Sequence, residues 1–426
     1  MTRLQPLRTF LACARQLAAL AGVVATASAL LAPAAHAQTA PAMATFCKAG
    51  FAAYPDGIQG LPPIFKYNLC WWLEDAGIAP AAFDQVVAAA PRPASHQELV
   101  SRFRAHADAH AQAARRLDTG GLVPGSQAAL AAAGEWRKAA FYGKLTRRPQ
   151  QAPTDDLRAS ERALQLTGTA PERIEATLDG KRFVGYFQPA ASQGVRAPLV
   201  IVFGGLDNFK TEMARHVAAM RARGFATLVL ENPDTGENTL SFRPEAWRML
   251  DAARDALKGR PDVDLARVGV YGWSMGGYLA TLGGLQADWI AAVVNVAGPV
   301  ESSFASSHCL RIPSSVGAAY ALFAGLAPTA PRDAMCAHYA RYALSQAMRI
   351  GPAAQRKPVL MLNGLLEDLT ATDESASLRA LGLSVTELSY ANDGHTAEGN
   401  MRDHLRMAAD WLWSRVASAP DHPTSD

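Results

Sequence analysis

Short apolar runs alternate with helical stretches through the second half of the chain. Strands are predicted near residues 198–203, 225–230, 267–271, 290–296, 358–363 and 384–389. Such continuous apolar runs belong to strands buried on both faces, and their alternation with helices is the signature of a mostly parallel α/β sheet. Just upstream, Arg173 to Leu178 and Lys181 to Gln188 flank Asp179-Gly180, a strong signal for a two-residue hairpin turn. The alternation breaks once. Between Val296 and Lys357 lie about sixty residues without a strand pattern, including Phe304, Tyr320, Phe323, Tyr339 and Tyr342. A compact domain seldom leaves so long a loop unstructured, so a helical cap is expected at about 300–352.

Before residue 166 the pattern is different. Residues from about 43 to 165 are rich in Ala, Arg, Gln and His, which predicts several helices with breaks around Pro91-Arg92-Pro93 and Gly120-Gly121. Phe103, Leu117 and Trp136 are the residues expected to face inward. His106 and His110 stand at i, i+4, but no H-E-x-x-H or matching acid accompanies them, and a solvated helix face is the better reading. The expected organisation is a leader over 1–37, a helical lobe over 38–165 and an α/β domain over 166–420.

Candidate chemistry sits at the carboxyl ends of the predicted strands. Gly272-Trp273-Ser274-Met275-Gly276 spells G-x-S-x-G between a strand-like and a helix-like run, the setting of a nucleophile elbow. A serine on such a turn needs neighbours without side chains, so that a substrate carbonyl can approach its hydroxyl. Upstream, the strand ending at Phe203 opens into Gly204-Gly205-Leu206-Asp207. The Leu206 amide there and the Met275 amide are the expected oxyanion donors. Downstream, Gly364-Leu365-Leu366-Glu367-Asp368 follows the strand at 358–363. Spacing favours Glu367 as the acid that orients a histidine, and Asp368 is the alternative. His395, in Asn392-Asp393-Gly394-His395 beyond the last strand, is the expected general base. Glu301 and His308 lie near the same strand ends, where plain surface roles are the simpler reading.

These motifs resemble one family. The runs Val200 to Asp207 and Glu231 to Glu237, the elbow and Asp393-Gly394-His395 are similar to the α/β-hydrolases that include fermentation/respiration switch esterase-like proteins and 2,6-dihydroxypseudooxynicotine hydrolase. The resemblance covers about Glu172 to Val416. It implies an α/β-hydrolase fold, a mostly parallel sheet flanked by helices, with an N-terminal helical lobe and a helical cap insertion. It also implies Ser274 as nucleophile, His395 as base, Glu367 as acid, and Leu206 with Met275 as oxyanion donors. The chain departs from the pattern at the acid, where Glu replaces the usual Asp, and just before it, where Asn363-Gly364 replaces His-Gly. The expected activity is that of a serine esterase working through an acyl-enzyme. The same constellation also serves carbon-carbon bond hydrolysis in a diketone-like substrate, and a non-catalytic binding module retaining the fold is a third reading. A peptidase of the prolyl oligopeptidase sort would bring a large repeat domain, and no 40–50-residue repeat is present.

Composition narrows the setting. Arg3, Arg8 and Arg15, the apolar stretch Leu17 to Leu31 and Ala35-His36-Ala37 read as a secretory signal peptide cut after Ala37, which makes the mature chain secreted or periplasmic. Removing it takes three arginines and no acids, leaving 38 basic against 38 acidic residues. No basic field remains to attract nucleic acid. The small-molecule substrate is expected to be apolar or aromatic; no cofactor or metal is implied, nor stable membrane insertion after cleavage. Four cysteines remain, and the expected pairs are Cys47 with Cys70 and Cys309 with Cys336, the other connectivities staying open.

Overall fold

The computed structural model describes residues 65–88, 96–146, 155–192, 196–206, 208–312, 314–327 and 329–417. Among the described residues five helices precede the first strand: α1 (Phe65–Ala76), α2 (Pro80–Ala88), α3 (His96–Leu117), α4 (Gln127–Lys144) and α5 (Asp155–Leu166). Two small cores hold them. One gathers Leu69, Trp72, Leu73, Phe83, Leu99, Phe103, Phe141 and Tyr142. The other packs Ala129, Ala132, Ala133, Ala163 and Leu166, with Trp136 half-buried against them. Alanine permits that close helix approach but leaves little apolar periodicity to read. Leu117 is not part of either core: it is 44% exposed at the last turn of α3. The following Asp118 accepts from Trp136 and Arg162 instead, so polar bonds rather than the leucine close this corner. His106 and His110 lie beside the Tyr142 ring, and His110 Nδ1 is 2.7 Å from Glu135.

The sheet has eight strands: β1 (Glu172–Leu178), β2 (Lys181–Gln188), β3 (Ala197–Phe203), β4 (Ala226–Leu230), β5 (Val263–Trp273), β6 (Ile290–Val296), β7 (Pro358–Gly364) and β8 (Ser384–Tyr390). Their spatial order is β1-β2-β4-β3-β5-β6-β7-β8. Strand β2 runs antiparallel to both its neighbours, β1 and β4, with Asp179 and Gly180, both at positive φ, joining it to β1; all the other pairings are parallel. Alternation along β3 shows how the sheet divides the core. Leu199, Ile201 and Phe203 join one cluster, with α7 (Met249–Asp255) and α8 (Met275–Gln286). Val200 and Val202 join the other, with α6 (Ala214–Arg223) and α15 (Met401–Val416).

Between β6 and β7 the described residues form no strand, and their α-helices are α9 (Ser306–Cys309), α10 (Ser314–Phe323), α11 (Arg332–Ala340), α12 (Leu344–Ala347) and α13 (Pro352–Arg356). A disulfide joins Cys309 of α9 to Cys336 of α11, with Cα atoms 5.7 Å apart. The expected partner pair involves Cys47, which lies outside the described residues. Phe304, Phe323, Tyr339 and Tyr342 are buried and pack with Phe242 and Tyr278 into one aromatic cluster. These rings join the core on one face of the sheet, so the cap has no separate cluster of its own among the described residues. Helix α14 (Glu374–Ala380) lies between β7 and β8. Among the described residues, no helix is long and apolar enough to cross a membrane.

Candidate active site

Ser274 occupies a turn that the surrounding glycines make possible. Strand β5 stops at Trp273, and α8 starts at Met275. The serine between them has φ 53° and ψ −126°, a conformation that costs an L-residue on the order of 1–3 kcal/mol. Two tethers hold it there: Ser274 N donates to Val296 O at 2.8 Å, and Gly277 N donates to Ser274 O at 2.7 Å. The close approach demands glycine. A Cβ on Gly272 would strike the Gly276 carbonyl, and one on Gly276 would lie 2.7 Å from Phe203 Cβ.

Three side chains from the ends of three strands meet at this turn. Ser274 Oγ is 2.8 Å from His395 Nε2, and His395 Nδ1 is 2.9 and 2.8 Å from the two Glu367 oxygens. His395 and Glu367 side chains are 5% and 1% exposed, so the line is dry except at the serine end. Burial alone would raise the Glu367 carboxyl. The facing imidazole, and the amides of Leu369 at 2.7 Å and Thr370 at 3.1 Å, outweigh it and hold the group below its ordinary range. Asp368, the alternative acid, is exposed beside it. Thus the structure brings Ser274, His395 and Glu367 together.

The turn after β3 forms the opposite wall. A Cβ on Gly205 would lie 3.3 Å from Ser274 Cβ, so Gly204-Gly205-Leu206 runs across the top of the serine. Gly205 N is occupied, donating to Asn208 Oδ1 at 2.9 Å. Asn232 Nδ2 donates to the carbonyls of Gly204 and Gly205 at 2.9 and 2.8 Å. Leu206 is buried one residue on, and Met275 opens α8. The Met275 amide is among the first-turn N–H groups that a helix leaves without an internal acceptor.

Several buried polar residues to which motif reading gave no role shape the site. Asn295 Nδ2 donates to Gly277 O and Thr281 Oγ1, while its Oδ1 accepts from Gly298 N at 2.6 Å. That clamps the start of α8 to the end of β6. A lone Asn in an otherwise apolar strand was its signal, because an unpaired amide there would be costly. Asp393 accepts from Gly394 N, Gly399 N and Asn400 N, folding the histidine loop on itself. Glu374 accepts from the amides of Val300, Glu301, Ser302 and Ser303 at 2.8–3.1 Å, fastening the cap root to the helix beyond the acid loop. Glu301 turns away to Ser345 N and Oγ, and His308 Nε2 meets Leu369 O at 3.1 Å. No group of three His, Cys, Asp or Glu fit to hold a metal occurs among the described residues.

The likenesses to other proteins agree with this architecture. A family model described as "Esterase FrsA-like" matches residues 109–417. The hydrolase acrC of Aspergillus aculeatus is 30% identical over 206 residues, covering 40% of this chain and 47% of that protein. The hydrolase phmG of Phaeosphaeria nodorum is 32% identical over 120 residues, 26% of this chain and 27% of that protein. The chain therefore spans less than half the length of these curated relatives. In three dimensions it is similar to 2,6-dihydroxy-pseudo-oxynicotine hydrolase, with TM-score 0.65, 17% identity and coverage of 82% of this chain and 97% of that one. It is also similar to AbyA5, with TM-score 0.59, 19% identity and coverage of 82% and 99%. At such identities these two structures speak for the fold. With most of its length matched by one family model and its sheet and helices in the corresponding arrangement, the chain belongs to the FrsA-like esterase family of α/β-hydrolases.

Proposed function

We propose that this hydrolase cleaves a small-molecule ester through an acyl-enzyme on Ser274, and that it works outside the cytoplasm. The observation that carries the chemistry is the unbroken line from Ser274 Oγ through His395 to Glu367. In this reading His395 Nε2 takes the hydroxyl proton as Oγ attacks the carbonyl carbon, and Glu367 stabilises the imidazolium that forms. The amides of Leu206 and Met275 receive the oxyanion. Collapse of the tetrahedral intermediate expels the alcohol, which takes the proton from His395. Water then repeats the sequence on the acyl-enzyme and frees the acid.

Location outside the cytoplasm is supported by the leader-like first 37 residues and by the Cys309–Cys336 disulfide, a bond that reducing compartments disfavour. Amino-terminal sequencing of exported protein is expected to begin at Gln38. The chemistry is tested by incubating the purified protein with a fluorophosphonate and locating the adduct by peptide mass spectrometry, beside Ser274→Ala. Labelling on the peptide bearing Ser274, absent in the variant, is the expected result. A wild-type serine that stays unlabelled would refute the assignment.

A further inference from the structure

The amino-terminal helices carry no motif of their own, yet one of their lysines reaches the wall of the serine site. Lys144, the last residue of α4, ion-pairs with Glu212 just beyond the turn after β3. The two side chains are only 8% and 15% exposed. Lys144 Nζ also stands 3.2 Å from the Trp72 ring centroid, so α1 and α4 both hold it. From Glu212 the connection continues inward. Its Oε2 accepts from Phe209 N at 2.8 Å and from Asn208 Nδ2 at 3.3 Å. Asn208 Oδ1 in turn accepts from Gly205 N. Gly205 is the residue whose backbone passes directly over Ser274.

We infer that Lys144 and Glu212 are positioning residues, through which the helical lobe sets the geometry of the oxyanion turn. The inference rests on the reading of Ser274 as an acyl-transfer nucleophile. Energetics favour this role over a purely stabilising one. Desolvating a Lys and a Glu together seldom yields net stability over apolar residues of the same size, whereas a fixed ion pair does specify one docking geometry. The amide that receives the oxyanion must be placed to within about half an ångström, and Leu206 N lies one residue beyond the tethered Gly205 N. Without the Lys144 partner, Glu212 is left as a poorly compensated charge that draws water or rotates outward. Asn208 then loses the acceptor that orients its amide, and the turn relaxes. Ground-state binding of a substrate does not depend on that amide; stabilisation of developing negative charge does.

The test measures fluorophosphonate inactivation kinetics, separating the limiting rate from the reagent's dissociation constant, in the wild type and in Lys144→Met, Lys144→Arg and Glu212→Gln. Circular dichroism and thermal melting accompany each. Lys144→Met and Glu212→Gln are expected to lower the limiting rate about 10- to 100-fold with the dissociation constant within about twofold, while Lys144→Arg restores most of the rate. A merely structural lysine would lower the melt without that split. Folded Lys144→Met or Glu212→Gln reacting at the wild-type limiting rate would overturn the inference. If Lys144→Met does not fold, the isosteric Glu212→Gln decides alone. Failure of the wild type itself to react is a separate outcome, which removes the esterase reading beneath.

Discussion

Two histidines behind the elbow make acid a specific threat to this fold. His216 on α6 and His404 on α15 are 5% and 0% exposed. His216 packs edge-on to Trp273, centroids 4.6 Å apart, and His404 lies 5.9 Å from the same ring. None of their four ring nitrogens has a partner among the described residues. Burial holds His404 down to about 3 against the opposing pull of Asp403. Burial likewise drives His216 well below its usual value, with the charges of His404 and Arg215 adding to the effect. In the unfolded chain both titrate near 6.5, so below that pH the unfolded state binds protons that the native state refuses. The stability they contribute is complete above about pH 6.5 and falls as pH drops, at about 1.4 kcal/mol per unit for each group. Between pH 6.5 and 5, His404 alone therefore accounts for a loss of about 2 kcal/mol, and His216 adds a loss of the same sign. Glu231 and Glu374, raised by burial, oppose this, because the native state takes up their protons first. The measurement is accordingly a difference: urea denaturation at pH 7 and pH 5, followed by circular dichroism, for wild type and His404→Leu. The variant is expected to lose about 2 kcal/mol less than the wild type over that range. Parallel losses in the two proteins would refute the reasoning.

Other substitutions probe the site and the cap. Glu367→Gln removes the charge facing His395 and is expected to lower kcat by about 10³- to 10⁴-fold, whereas Asp368→Asn, on an exposed neighbour, should lower it less than about threefold. Equal losses in ester turnover would place the acid elsewhere. Asn232→Leu keeps the branched shape in a somewhat larger side chain but deletes two hydrogen bonds to the Gly204 and Gly205 carbonyls, and should reduce kcat about 10- to 100-fold with little change in KM. An unchanged kcat would show that the turn holds its shape without them. Replacing Cys309 and Cys336 together by Ser opens a link spanning 27 residues, and chain entropy puts the loss at up to about 3.5 kcal/mol. A melting temperature unaltered by the double replacement would mean the bond does not restrain the fold.

The elements that the amino-acid pattern reveals are those whose burial is uniform. Strands β3 to β7 appear as apolar runs because both faces of each are largely covered, while the edge strand β8 is exposed along much of its length, and the hairpin appears because Asp179 and Gly180 both need positive φ. Ser274 and His395 are legible for a related reason: each stands in a glycine-bearing turn at a strand end, where chemistry rather than packing selects the residues. Leu117 shows the limit. Its hydrophobicity predicts burial, but the end of α3 meets Asp118, Trp136 and Arg162, whose hydrogen bonds take that corner. The cap aromatics show another. Composition cannot tell a ring lining a crevice from a ring filling a core, and Phe304, Tyr339 and Tyr342 pack on one another and on Phe242 and Tyr278 within the main core.

What pattern leaves invisible is how the turns are held in register above the sheet. Asn208, Asn232, Asn295, Asp393 and Glu374 are separate polar residues, none adjacent to another, and each ends on backbone groups of a turn or loop, Asn208 and Asn232 sharing the one at Gly204-Gly205. A hydrophobic period decides which face a side chain takes, but any of several loop conformations satisfies it. Selecting one requires donors and acceptors that lose their partners in all the others, and inside a dry core such a loss costs about 1–3 kcal/mol per group. The glutamate at the acid position fits the same logic. Its Oε1 serves the imidazole and the amides of Leu369 and Thr370 at once, so the chain beyond β7 is folded around the carboxylate that orients His395. The extra methylene of glutamate over aspartate is thereby taken up by the shape of the loop, which brings the ring and both amides to one carboxylate.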